Sequence, residues 1–239
     1  MGGGVRGGVG PGAGRARVAG RRRGGDGRFP AGAHAHSGGA EAAVRAGRIT
    51  GPDSLAAFCR GRLHTAGLVA AALAAAACAG GDPYALDDAA DARTPSPALR
   101  ATARKLGRQL LRAARATWPC AELDALAAAR PRGLHQPVVL GLTARAAGLA
   151  PHDAARAAGY DSVSGPATAA VRLLSLDPVD ATAILARLAG EVDGGVERAG
   201  AAARAAAEEG TDPLPAASAP LLDIGAERHA AWPTRLFAS

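Results

Sequence analysis

The sequence predicts an all-α fold, an irregular bundle of about eight to ten helices that forms a single domain. Of the 239 residues, 48% are hydrophobic but only 3% are aromatic. Alanine, the strongest helix former, accounts for about 65 of them. Strands of sandwiches and barrels favour β-branched and aromatic residues, so the composition disfavours those folds. Proline also recurs at the start of apolar patterns, where its missing N–H leaves no helical hydrogen bond unmade.

A long helix is predicted to begin at Pro52 and to end at Gly80–Gly81, because apolar residues recur between them at helical spacing. Its second half, residues 66–81, is apolar but shorter than the roughly 20 strongly apolar residues of a membrane span. We therefore expect a buried helix and no membrane partner. Cys59 and Cys78 lie on its apolar side, where small buried thiols are the ordinary explanation.

Later helices are predicted where proline follows a capping or turn residue. These starts are Ser96–Pro97, Gln136–Pro137, Ala150–Pro151, Gly165–Pro166 and Asp177–Pro178. The acidic residues 82–97 precede the first of them, and we expect Asp87, Asp88 and Asp91 there in a solvent-exposed loop. The last helix is predicted to continue to Glu209.

Three regions follow from these patterns: a disordered tail at residues 1–25, an all-helical domain at residues 26–209, and an extended C-terminal segment at residues 210–239. The tail is glycine and arginine with almost no large apolar side chain, so it cannot offset the entropy of ordering. The C-terminal segment is interrupted by proline but rich in apolar residues, so we expect it to dock on its own domain or on a partner.

Charge and motifs exclude several classes of function. The net charge of +7 is concentrated in the N-terminal tail, and that tail lacks the aromatic residues that stack on RNA bases, so we expect no nucleic-acid partner. The chain has no GK[ST] and no GxSxG sequence. Its three cysteines include no CxxC pair, which disfavours a zinc knuckle and a disulfide framework and indicates a reducing compartment.

The turn-rich segment at residues 26–41 contains the candidate metal ligands. If the chain is extended there, His34 and His36 project to the same side and could share a divalent metal such as nickel. A third ligand from Glu41, from a cysteine or from a second subunit is still needed. The structural alternative is that Ser37 or a following glycine caps a helix, with Glu41 near its positive end.

Five blocks of the chain, in order from residue 26 to the end, resemble the UreF family of urease accessory proteins. They are Asp26–Gly32 with His36–Ala42; Leu106–Arg112; His135–Gly141; Ser164 with Ala169–Leu174 and Leu176–Pro178; and Ala219–Ile224 with Glu227–His229 and Arg235–Ser239.

The resemblance implies an all-helical, cytoplasmic protein that is not an enzyme. It implies a homodimeric scaffold that joins the D-type accessory protein, called H in some organisms, to the nickel-carrying GTPase G. The assembly would dock on the urease apoprotein and couple GTP hydrolysis to nickel insertion. No cofactor would be bound tightly, and nickel would be held only transiently.

Residue by residue, the resemblance implies partner contacts within the C-terminal segment and within the first block. These residues are Glu227, His229, Arg235, Leu236 and Phe237, together with Ser37 and Glu41. His34 and His36 would be transient nickel ligands. The alternative function is a helical nickel carrier that uses His34 and His36 directly.

Overall fold

The computed structural model describes residues 36–237, and over that range it contains nine helices and no β-strand. The predicted all-α class is confirmed. The helices α1 to α9 are Ala40–Arg45, Pro52–Ala79, Pro83–Ala92, Pro97–Thr117, Ala121–Ala129, Gln136–Ala146, Pro151–Leu174, Pro178–Glu209 and Pro220–Ala230. The predicted disordered tail and His34 lie outside the described residues.

Helix α2 is the centre of the bundle. It begins with Pro52 in the first turn, passes through a π-helical turn at Leu63–Gly67, and continues as Leu68–Ala79. Every residue from Ala71 to Cys78 is buried, and α6, α7 and α8 pack around this half. By length and hydropathy α2 could cross a membrane, but 61% of its most apolar window is buried within the fold. The prediction of a buried core helix is therefore confirmed.

Small residues let the central helices approach closely. Gly141 of α6 faces α2 so tightly that a Cβ atom there would lie 2.2 Å from the Ala74 carbonyl oxygen. Alanine supplies most of the facing surface on α2. The core is therefore packed backbone against backbone, which explains how a chain with so few aromatic residues fills its interior.

The predicted helix start at Gly165–Pro166 is wrong, because α7 runs unbroken through Pro166. Proline lacks the N–H that would bond to the carbonyl of Ser162, four residues earlier. The Arg62 Nε–H donates to that carbonyl instead, at 3.0 Å. A side chain from α2 thus satisfies the acceptor that the proline leaves open, and the helix continues.

The predicted acidic loop is also wrong, because Asp87, Asp88 and Asp91 all lie on α3. Asp82 caps this helix by accepting hydrogen bonds from two backbone N–H groups of its first turn, and Pro83 occupies the first helical position. Asp88 is exposed, as predicted for a solvated acid, but Asp87 is buried. Its charge must therefore be satisfied inside the protein.

The C-terminal segment is not wholly extended as predicted, because Pro220 begins helix α9. Gly225, Ala226 and His229 bury one side of this helix. Upstream, the Arg93 guanidinium holds the chain by donating to the carbonyl oxygens of residues 211, 214 and 215. The described part of the segment is therefore docked on its own domain.

Candidate partner-docking site

A glycine turn before α1 brings the first family block against the C-terminal segment. Gly38 and Gly39 have φ angles of 56° and 91°, which are strained for residues with a side chain. A Cβ at Gly38 would lie 3.0 Å from Pro166 Cγ, and one at Gly39 would lie 3.0 Å from Leu222 Cδ2. The turn therefore fits between α7 and α9, and it places Glu41 in the first turn of α1.

Glu41 anchors the end of the chain. Its carboxylate accepts hydrogen bonds from His229 Nε2 at 2.9 Å, from the Leu236 backbone N–H at 2.9 Å, and from the Phe237 backbone N–H at 3.0 Å. Glu41 and His229 are both buried, at 7% and 1% exposure. We call this arrangement the Glu41 anchor. It joins residues almost 200 positions apart in the sequence.

The environment of Glu41 favours its ionised form. Burial by itself would raise the pKa of this carboxyl, but the hydrogen bonds from Leu236, His229 and Phe237 outweigh it, and the pKa is lowered from its ordinary value. The anchor is therefore charged at neutral pH. Ser37, which is fully buried, supports it: the Glu41 backbone N–H lies 3.4 Å from the Ser37 hydroxyl oxygen.

The anchor fixes the backbone of the last described residues and leaves two of their side chains in solvent. Phe237 is buried, with the Arg172 guanidinium 5.7 Å from its ring centroid. Leu236 is 76% exposed and Arg235 is also exposed. Of the predicted contact residues, Ser37, Glu41, His229 and Phe237 are thus turned into the domain, whereas Arg235 and Leu236 face outward.

Glu227, on α9, lies apart from the anchor and contacts the start of α4. Its Oε1 accepts hydrogen bonds from the Ser96 hydroxyl and, at 2.9 Å, from the Ala98 backbone N–H. These bonds lower the pKa of Glu227 below its ordinary value. A carboxylate at a helix N-terminus is also favoured by the helix dipole. In this conformation Glu227 links α9 to α4.

His36, the described member of the predicted metal pair, lies among positive charges. Burial and the nearby Arg62, Lys105 and His229 lower its pKa to about 4. Positive neighbours also disfavour a divalent cation. Among residues 36–237, no group of three histidine, cysteine, aspartate or glutamate side chains could hold a metal ion.

A buried charged cluster around Asp87 was missed by sequence reasoning. Asp87 Oδ1 accepts hydrogen bonds from the His135 backbone N–H at 2.8 Å and from its ring Nδ1 at 2.7 Å, and Asp87 Oδ2 accepts one from Arg104 at 2.8 Å. Burial by itself would raise the pKa of Asp87, but these hydrogen bonds outweigh the effect of burial and the pKa is lowered. The cluster ties α3 and α4 to the start of α6. No local signal predicts it, because its members are far apart in sequence.

The two cysteines of α2 are buried, as predicted. Burial raises the pKa of both the Cys59 and the Cys78 thiols to about 11. Each lies within weak hydrogen-bonding distance of a backbone carbonyl, of Val163 and Leu149 respectively. A thiol that stays protonated at neutral pH is a poor nucleophile and a poor metal ligand.

The sequence profile of the UreF family matches residues 49–189, which is more than half of the chain. The chain belongs to the UreF family of urease accessory proteins. It is 44% identical over 215 residues to the urease accessory protein UreF of Mycobacterium sp. (strain JLS), covering 90% of this chain and 95% of that protein. It is 43% identical over 218 residues to the UreF of Mycolicibacterium vanbaalenii, with the same coverage of each chain.

The UreF of Mycobacterium tuberculosis is 41% identical over 210 residues, which cover 85% of this chain and 90% of that protein. The resemblance seen in the sequence is therefore confirmed. Membership of the UreF family makes this chain a urease accessory protein and associates it with urease maturation.

Proposed function

We propose that this UreF-family chain is a non-catalytic scaffold that joins the D-type accessory protein and the GTPase G on the urease apoprotein. GTP hydrolysis by the partner then drives the insertion of nickel into urease. The scaffold acts in the cytoplasm as a homodimer. Any effect on GTP hydrolysis passes through the geometry of the GTPase.

The observation that carries this proposal is the Glu41 anchor with its two outward side chains. The anchor holds the backbone of Leu236 and Phe237 by hydrogen bonds to one carboxylate. It leaves Leu236 76% exposed beside the exposed cation of Arg235. An apolar side chain held in water on a fixed backbone suits a protein interface, since little entropy remains to be lost on binding. We assign this surface to the D-type accessory protein.

The test is a double variant, Arg235→Glu with Leu236→Asp, in the full chain. Both side chains point outward and the anchor uses only the Leu236 backbone, so the domain is expected to stay folded. A matched control, Arg187→Glu with Val179→Asp, changes an exposed arginine and an exposed apolar residue of α8. The measurement is capture of the D-type accessory protein by each tagged variant.

The scaffold proposal expects the control to retain the D-type accessory protein and the terminal variant to lose it. Deleting the segment would be a poorer test, because it leaves Glu41 buried without its donors. Equal capture by both variants would refute the assignment of this surface. Failure of the unaltered chain to capture either the D-type accessory protein or the GTPase would refute the scaffold itself.

We also propose that nickel is cargo of the assembly and is held by this chain only in passing, without a tightly bound cofactor. The positive surroundings of His36 support this reading over the carrier alternative. Replacing both His34 and His36 by alanine is expected to leave complex assembly intact. Loss of stoichiometric nickel binding in equilibrium dialysis would instead favour the carrier.

A further inference from the structure

A small cavity lies between α1 and α9, and Trp232 of the C-terminal segment forms part of its lining. Its volume is about 180 Å³. Small residues on both helices, Ala42 and Gly225, open the space between them. The complete lining is Ala42, Arg45, Ala46, Arg48, Ile224, Gly225, Arg228 and Trp232.

The cavity is strongly positive. Arg45, Arg48 and Arg228 all line it, and within residues 36–237 none of them forms an ion pair with a carboxylate. Arg45 is held by Trp232 instead, with its guanidinium carbon 4.2 Å from the ring centroid. The acid next to Arg228 in the sequence, Glu227, instead accepts a hydrogen bond from the Ala98 backbone N–H at the start of α4. In this described part of the chain, three guanidinium groups around one space therefore have no carboxylate as an ion-pair partner.

The cavity is too small for a cofactor but large enough for one side chain. Sites for drug-sized ligands are typically about 300–1,000 Å³. Exposed apolar side chains also lie on α9, where Ile224 of the lining is 48% exposed and Leu221 is 60% exposed. A carboxylate inserted among the arginines, with an apolar neighbour against Ile224, would match both the charge and the surface.

We propose that this cavity binds an acidic side chain from the D-type accessory protein. The assignment rests on the scaffold function proposed above. It follows from charge and from continuity with the surface assigned above, because Trp232 lies three residues before Arg235 and four before Leu236. The arginine-rich N-terminal tail of the same chain does not match this cavity in charge.

The experiment measures the Kd between the full chain and the D-type accessory protein at low and at high NaCl. The test variant is Arg48→Glu with Arg228→Glu, which reverses two exposed charges and leaves the contact between Arg45 and Trp232 in place. The control is Arg187→Glu with Arg204→Glu, the same net change on exposed arginines of α8. We expect the test variant to weaken binding at least tenfold and to flatten its salt dependence, with less than a twofold effect in the control.

A second variant fills the cavity without changing charge. A Cβ on Gly225 would make only ordinary contacts, 3.5 Å from Ala42 Cβ and from Arg48 Nη2. Gly225→Leu would then occupy the space, and the circular dichroism spectrum and Tm of the variant establish that it folds. We expect weakened binding here too.

Each outcome has one meaning. Binding by the test variant equal to that of the unaltered chain, or equal weakening in test and control, overturns the cavity proposal and leaves the scaffold in place. If the unaltered chain does not bind the D-type accessory protein at all, the scaffold proposal fails and the cavity proposal fails with it.

Discussion

At the residue scale, Glu41 connects the start and the end of the described chain. A carboxylate buried without partners would cost several kcal/mol, and here three donors compensate for the lost water. This placement of Glu41 requires glycine in the preceding turn, because Gly39 has a left-handed φ and lies against Leu222. The anchor thus depends on residues from three separate parts of the sequence.

Glu41→Gln is expected to loosen the C-terminal segment. The amide keeps the shape of the side chain, but its NH2 group cannot accept a hydrogen bond. Because the donors are divided between the two carboxylate oxygens of Glu41, at least one of the three hydrogen bonds is lost, at a cost of about 1–3 kcal/mol. Hydrogen exchange at the Leu236 and Phe237 amides should become much faster. Glu191→Gln, which alters an ion-paired carboxylate on the α2–α8 surface, should leave that exchange unchanged.

Asp87→Asn should destabilise the whole domain. Asp87 accepts hydrogen bonds from His135 and forms an ion pair with Arg104, and removing one partner of a buried charged pair typically costs about 3–5 kcal/mol. The neighbouring Asp88→Asn, at an exposed position of the same helix, should change stability by less than about 0.5 kcal/mol. Urea denaturation of both variants measures the difference, and equal effects would contradict the role of the cluster.

At the element scale, helix starts could be predicted from sequence because their causes are local. Ser96 caps α4 through the Leu99 N–H, and Asp177 caps α8 through the Val179 N–H, each followed by proline in the first turn. The continuation of α7 through Pro166 could not be predicted from local sequence, since Arg62 of another helix donates to the carbonyl that this proline leaves without a partner. Tertiary contacts that compensate for a local defect leave no trace in the local sequence.

Gly141→Ala and Gly190→Ala should have opposite effects. Alanine favours helix over glycine by about 1 kcal/mol. At Gly190 a Cβ meets nothing within 4 Å, so α8 should be stabilised by roughly that amount. At Gly141 the new Cβ would lie 2.2 Å from the Ala74 carbonyl oxygen. Helix α6 would have to move away from α2, and we expect this to cost more free energy than the higher helix propensity of alanine supplies. Thermal unfolding compares the two, and a raised Tm for Gly141→Ala would contradict the packing described.

At the scale of the whole molecule, the class of fold was predictable from alanine content and helical periodicity, whereas the candidate site was predictable only in part. The family blocks pointed to the C-terminal segment and to Ser37 and Glu41. They did not show that the carboxylate of Glu41 would hold the backbone of that segment. Nor did they distinguish the outward Arg235 and Leu236 from the buried Phe237. Such distinctions depend on long-range contacts, which a single sequence does not contain.

Acid should destabilise the fold partly through His36. Its folded pKa of about 4 lies below the ordinary value of 6.5, so the unfolded chain binds the proton first as the pH falls. As far as His36 is concerned, the free energy of unfolding has its full value above pH 6.5. It falls by at most about 3 kcal/mol as the pH is lowered towards 4. His36→Gln should therefore flatten the fall in stability between these values, whereas His152→Gln, at an exposed position, should not. Parallel curves for His36→Gln and the unaltered chain would contradict the assigned pKa.

The most direct test of the proposed scaffold function asks whether this chain joins the D-type accessory protein to the GTPase G. Tagged D-type accessory protein is mixed with the GTPase G, with and without this chain, and the complexes are separated by size-exclusion chromatography with light scattering. The scaffold proposal predicts that the GTPase elutes with the D-type protein only when this chain is present, at a mass that includes two copies of it. If the GTPase associates with the D-type protein to the same extent without this chain, the scaffold proposal is wrong.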